Sequence, residues 1–155
     1  MKSEILDKTF PVILQSNSVD CGPTCLKMVA KFFGINFPIK ELRQKMNLSK
    51  DGVSLYDIDK TSKELGLSSK GVKLSFDSFR SIPLPCIIPW NNSHFVVVYE
   101  VTEDRITYAN PSIGLLSCSK ESFIKNWNGD SSGQGIALII WPKEKSKSTS
   151  KSKSS

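Results

Sequence analysis

A chain of 155 residues, 39% apolar and 23% charged, is long enough for one domain that buries its own core without staples. Its formal charge of +6 is unevenly spread: KEKSKSTSKSKSS, from Lys143 onward, carries five lysines and one glutamate, four of the six net charges. The nearly balanced body lacks the basic face with interleaved aromatics that nucleic-acid binding uses, so no nucleic-acid partner is expected.

The N-terminal MKSEILDKTF is too polar for a signal sequence, and the longest apolar runs, FVVVY and IALIIW, have strand length rather than membrane-span length. Four cysteines (Cys21, Cys25, Cys86 and Cys118) without regular spacing point to reduced thiols in a cytoplasmic compartment. The first element expected is a helix over residues 21–33, since Pro23 suits a first turn and Gly34 a stop. Pro38 opens a second amphipathic segment, IKELRQKM. Ser54 then caps a third helix, with Asp57 three residues on, Leu55, Ile58 and Leu65 at helical spacing, and Gly66 at its end. Beyond this the period changes. GVKLSF, LPCIIP, SHFVVVYEV, DRITYAN, GLLSCS and GIALIIW are short, β-branched and bounded by turn residues, which predicts strands, with KESFIKNW a helix among them. Helices followed by antiparallel strands predict an α+β fold in one domain over residues 1–142, with a disordered Lys/Ser-rich tail over 143–155.

The chemistry concentrates on Cys21. A helix start carries unsatisfied N–H groups and about half a positive charge, which stabilise a thiolate and can receive the oxyanion of an attacked carbonyl. A thiol nucleophile needs a base, and His94 is the sole histidine, hence the sole candidate. A third group should hold the ring through its Nδ1 hydrogen. The hairpin expected around VTEDR returns Asn110 to the end where His94 begins, but whether the two share a face depends on turn length or a bulge. Gln15, six residues before Cys21, is a candidate second donor to an oxyanion. Each has a plainer reading: Cys21 as a small apolar residue, His94 as a strand residue, Asn110 as a turn residue before Pro111. Cys25, Cys86 and Cys118 read as packing residues, and Trp90 either walls the cleft or joins the core. The cysteines lack paired CxxC spacing and the lone histidine rules out HxxxH, so neither a metal nor a cofactor is expected.

Taken together, Gln15, DCGPTCLKMVAKFFG, DGVSLYDI, LPCIIPWNNSHFVVVYEV and NPSIG resemble, in order and spacing, the bacteriocin-processing cysteine peptidases, the papain-like domains of peptidase-containing ABC transporters. The resemblance runs to about Trp141. It implies a papain-like fold, with N-terminal helices on a C-terminal antiparallel sheet. The activity implied is cleavage of a leader peptide after a Gly-Gly or Gly-Ala pair, coupled to export. Cys21 would be the nucleophile, His94 the acid and base, and Gln15 the oxyanion donor. The implied partners are a double-glycine leader peptide and the transmembrane and ATP-binding parts of a transporter, which this sequence does not contain, at the cytoplasmic face of the inner membrane. The family usually places Asp where this chain has Asn110, so the orienting charge is missing. A degenerate domain that binds leaders without cutting them is the alternative.

Overall fold

The computed structural model describes residues 10–91, 93–127 and 133–143, so the expected tail lies, after Lys143, outside the described residues. Helix α1, Cys21–Phe32, starts and stops where its proline and glycine predict. Gly34 takes φ 87°, and the N–H groups of Gly34 and Ile35 return to Lys31 O and Ala30 O, the double closure that a left-handed residue permits. Helix α2 spans Ile39–Lys45 and α3 spans Leu55–Glu64. At the start of α3, Ser54 Oγ accepts from the Asp57 N–H while Asp57 Oδ2 accepts from the Ser54 N–H, the reciprocal cap read from the sequence.

The remaining elements are β1 (Leu67–Ser75), α4 (Phe76–Phe79), β2 (Cys86–Trp90), β3 (His94–Val101), β4 (Arg105–Asn110), β5 (Gly114–Ser119), α5 (Lys120–Trp127) and β6 (Gln134–Pro142). Two boundaries differ from expectation. β1 begins four residues before Gly71, because polar Ser68, Ser69 and Lys70 pair in full register with Trp141, Ile140 and Ile139 of β6. Phe76 leaves the strand to open α4, where Ser75 Oγ accepts from the Ser78 N–H. The six strands form one antiparallel sheet in the order β1-β6-β2-β3-β4-β5.

Alternation along the central strands supplies two cores. Ile87, Val97, Leu138 and Ile140 face Cys25, Leu26, Met28 and Val29 of α1, with Leu42 and Ile58 from α2 and α3 behind. On the other face, Ile88, Val96, Val98 and Ala137 meet Phe76, Phe79, Phe123 and Trp127 of the two short helices. Trp90 belongs to this aromatic layer, 5% exposed and against Tyr108 and Phe123, so it is a core residue rather than a wall of the cleft. Helix α1 thus lies between the sheet and two further helices, buried on nearly every side. No described helix is long and apolar enough to cross a membrane.

Candidate active site

The start of α1, the start of β3 and the end of β4 carry the candidate residues. Cys21 is the first residue of α1 and 8% exposed. Its helix is preceded by Asp20, whose side chain makes no capping hydrogen bond. That carboxylate is fully buried and turned instead to α2, where Arg43 Nε donates to Oδ1 at 3.0 Å and Arg43 Nη2 to Oδ2. Ser16 Oγ adds a third donor to the carboxylate, at 3.2 Å. The result is physical as well as geometric: the first-turn N–H groups stay uncapped, and a two-pronged ion pair fixes the helix start against α2.

Glycine follows Cys21 for a steric reason. A Cβ at Gly22 would stand 2.3 Å from Val53 Cγ2, so only glycine lets the segment before α3 close over the helix start. The thiol itself differs from the simple helix-end expectation. Burial pushes the Cys21 thiol above its ordinary range, and neighbouring Asp20 adds to this. The backbones of Phe95, Gly22 and Cys21 itself pull the other way without prevailing. Phe95 is the residue after His94, so the thiol lies against the beginning of β3. One turn further on, Cys25 Sγ donates to Phe95 O at 3.3 Å. Cys25 and Cys86 are fully buried, Cys118 is partly so, and all four thiols are free, in line with packing roles for the last three.

His94 and Asn110 meet. Their backbones come from adjacent strands, and the pairing slips by one residue between Val98 and Glu100, so that Val98 faces Tyr108 and Val97 faces Ala109. This bulge resolves the alternative the sequence left open: it puts His94, Val96 and Val98 in phase with Asn110, Tyr108 and Ile106. Asn110 Oδ1 lies 2.8 Å from His94 Nε2. The ring is therefore held by Nε2 and not by Nδ1, because His94 is the first residue of β3 and turns its far nitrogen toward the end of β4.

The protonation of the ring follows from a backbone group. Ser112 N–H, which can only donate, reaches Asn110 Oδ1 at 2.9 Å, so the side-chain oxygen must face inward. An oxygen cannot donate to His94, hence Nε2 carries a proton, and in the neutral form of the ring the lone pair falls on Nδ1. Gln15 joins from the chain's beginning: its N–H donates to Pro111 O at 2.8 Å, its Oε1 lies 3.2 Å from Ser112 Oγ, and its Nε2 donates to Asn17 O at 2.7 Å. Asp20, Arg43 and Ser112 are the residues that sequence reasoning missed. Asp20 stands inside the DCG motif, but nothing in IKELRQKM marks Arg43 as its partner. Among the described residues no three His, Cys, Asp or Glu side chains gather as a metal site would require.

Solved structures with this fold exist. The chain superimposes on a double glycine motif protease from an AMS/PCAT transporter, crystallised in complex with the leader peptide, with a TM-score of 0.79 at 28% identity. That alignment covers 86% of this chain and 92% of the other. The peptidase domain of Streptococcus ComA, a bi-functional ABC transporter involved in quorum sensing, gives 0.77 at 25% identity over 86% and 99%. The architecture is that of the papain-like cysteine peptidases. Within that class the chain belongs to the Peptidase C39 family, whose sequence profile it matches over residues 9–145. It is 35% identical over 132 residues to the colicin V secretion/processing ATP-binding protein CvaB of Escherichia coli, covering 85% of this chain and 18% of that protein. With the lactococcin-G-processing and transport ATP-binding protein LagD of Lactococcus lactis it shares 31% over 140 residues, 86% of this chain and 19% of the other. The chain thus spans less than a fifth of the length of these curated relatives.

Proposed function

We propose that this domain is a cysteine endopeptidase that removes leader peptides by cutting after a Gly-Gly or Gly-Ala pair, acting beside an ABC transporter at the cytoplasmic face of the membrane. The observation that carries it is the hydrogen bond from His94 Nε2 to Asn110 Oδ1, which leaves Nδ1 free to act as base on the residue that precedes Phe95, whose backbone meets the Cys21 thiol.

In this reading the Cys21 proton passes to His94 Nδ1 as Sγ bonds to the carbonyl carbon of the second leader glycine. The carbonyl electron pair moves to oxygen, which takes hydrogen bonds from the Cys21 N–H and from the Gln15 Nε2 hydrogen not used on Asn17. Collapse breaks the C–N bond, and Nδ1 returns its proton to the departing amine. Water then cleaves the thioester with Nδ1 again as base. Burial of the thiol disfavours a lone thiolate, so the charged form is made only as a pair with the imidazolium. Small residues before the cut suit a narrow cleft, and an apolar face of a helical leader would provide the remaining recognition.

The uncharged Asn110 favours a second reading, a domain that binds leaders without cutting them. Incubating the purified chain with Gly-Gly leader peptides separates the two. Cleavage that disappears in Cys21→Ala and in His94→Ala is expected; binding without cleavage by the unaltered chain would establish the second reading instead, and retained cleavage in either variant would reject the assigned roles.

A further inference from the structure

Ser112 is placed where two parts of the site meet. Its Oγ lies 3.2 Å from Gln15 Oε1 and 3.3 Å from His94 Nε2, although Gln15 is 97 positions away in sequence. Two backbone groups of fixed polarity bracket this cluster. At one end the Ser112 N–H obliges Asn110 to present Oδ1, which obliges His94 Nε2 to donate. At the other end Asn17 O can only accept, so the Gln15 amide must present Nε2 to it and Oε1 to Ser112. The Ser112 hydroxyl is then left one consistent arrangement: its proton goes to Gln15 Oε1, and its lone pair faces the His94 Nε2 hydrogen.

We infer that Ser112 is a positioning residue that locks the Gln15 amide, with its spare Nε2 hydrogen available to an oxyanion, to the same frame that holds the His94 ring. This rests on the peptidase reading given above. Donation from Nε2 is the same in the imidazole and the imidazolium, so the frame keeps its polarity while Nδ1 takes and returns a proton. An alanine at 112 leaves Asn110 its backbone donor and removes only the bond to Gln15 and the secondary acceptor at His94.

The test separates the oxyanion from the base. Attack of Cys21 on a carbonyl builds an oxyanion, whereas alkylation by iodoacetamide displaces iodide and builds none. Ser112→Ala is expected to lower kcat for a Gly-Gly leader peptide about tenfold, a fraction of the loss that follows outright removal of an oxyanion donor, with KM within about twofold. Its Cys21 alkylation rate between about pH 6 and 9 should match the parent's. Ser112→Thr, which keeps the hydroxyl, should restore kcat, and Ser112→Ala should cost nothing more in a Gln15→Ala background. Equal cleavage in Ser112→Ala, independent multiplying losses with Gln15→Ala, or failure of threonine to rescue would each overturn the assignment. A change in alkylation would transfer the effect to His94 and likewise overturn it. If Ser112→Ala does not fold, Ser112→Gly takes its place. Should the parent cleave no leader at all, the peptidase reading fails, and the side-chain amide resonances of Gln15 decide the contact without turnover. They should move toward free-glutamine positions in Ser112→Ala, and unmoved resonances would refute the bond.

Discussion

Asn110 takes its orientation from the backbone of Ser112, and that lends it half of what an aspartate would provide. The amide oxygen fixes the tautomer and the plane of the ring, but supplies no charge to an imidazolium. In serine triads, where the same exchange of carboxylate for amide also yields the wrong tautomer, turnover falls about 10⁴-fold. Here the tautomer is right, so the loss should be far smaller. Asn110→Asp adds a negative charge 2.8 Å from Nε2, which favours the protonated ring. The alkaline limb of the pH–rate profile is therefore expected to move to higher pH, with kcat/KM rising at pH 7 by an order of magnitude or less. Peptide cleavage measured between about pH 5 and 10 decides this; an unshifted limb would mean that Asn110 is not coupled to the base. Cys21 gives a second residue-scale expectation. Since burial raises its thiol, alkylation near pH 7 depends on His94, and His94→Ala should slow it by a factor of ten or more. Iodoacetamide kinetics on the two proteins read this directly.

At the scale of elements, the start of α1 is held by one close approach and one ion pair. Alanine at Gly22 improves helix propensity yet drives a methyl into Val53, whose branched side chain has little freedom to withdraw. Overpacking of this kind costs about 1–3 kcal/mol. Gly22→Ala should lose cleavage more than stability, because the thiol moves with the turn, and adding Val53→Ala should recover part of the rate. Arg43→Met strands the fully buried Asp20 carboxylate. Breaking a buried pair costs about 3–5 kcal/mol, and with the Arg43 side chain 30% exposed the low end is expected in a urea melt. Much of this scale was legible in the sequence. Proline, glycine and the Ser54 cap act within a few residues, so α1 and α3 start where local rules put them. The sequence pattern shortens β1, because its polar residues gain strand character only by pairing with β6, and it does not show α4, because four residues leave no period to detect. The site divided along the same line. Cys21 and His94 stand out as candidates by residue type, and Asn110 and Gln15 only in combination with them, whereas Arg43 and Ser112 make their contacts across 23 and 97 positions, which no local pattern encodes.

Across the whole molecule, the buried thiols couple stability to alkali. Burial holds the Cys86 thiol far above its ordinary range, and Cys25 well above it, with Cys21 nearby adding to the latter. In the unfolded chain these groups ionise near pH 8.5. Above that pH the folded state keeps protons that the unfolded state has released, so unfolding becomes easier as pH rises, by about 1.4 kcal/mol per pH unit for each thiol. The stabilisation is complete below the ordinary thiol range and fades as pH rises beyond it toward the raised folded values. Cys86→Ala should flatten the dependence by the share of one thiol between about pH 9 and 10.5, measured as the difference between urea melts of the two proteins. An unchanged slope would mean that Cys86 is solvated.

The bond between the Gln15 N–H and Pro111 O closes most of the domain into a single long loop. Chain entropy opposes a closure of this span more than it opposes a short one, though the cost rises only slowly with length. Under the peptidase proposal, a domain in which the segment carrying Gln15 has not yet met the end of β4 would lack the Gln15 amide at the site. The long closure thus ties the seating of the proposed oxyanion donor to completion of the fold.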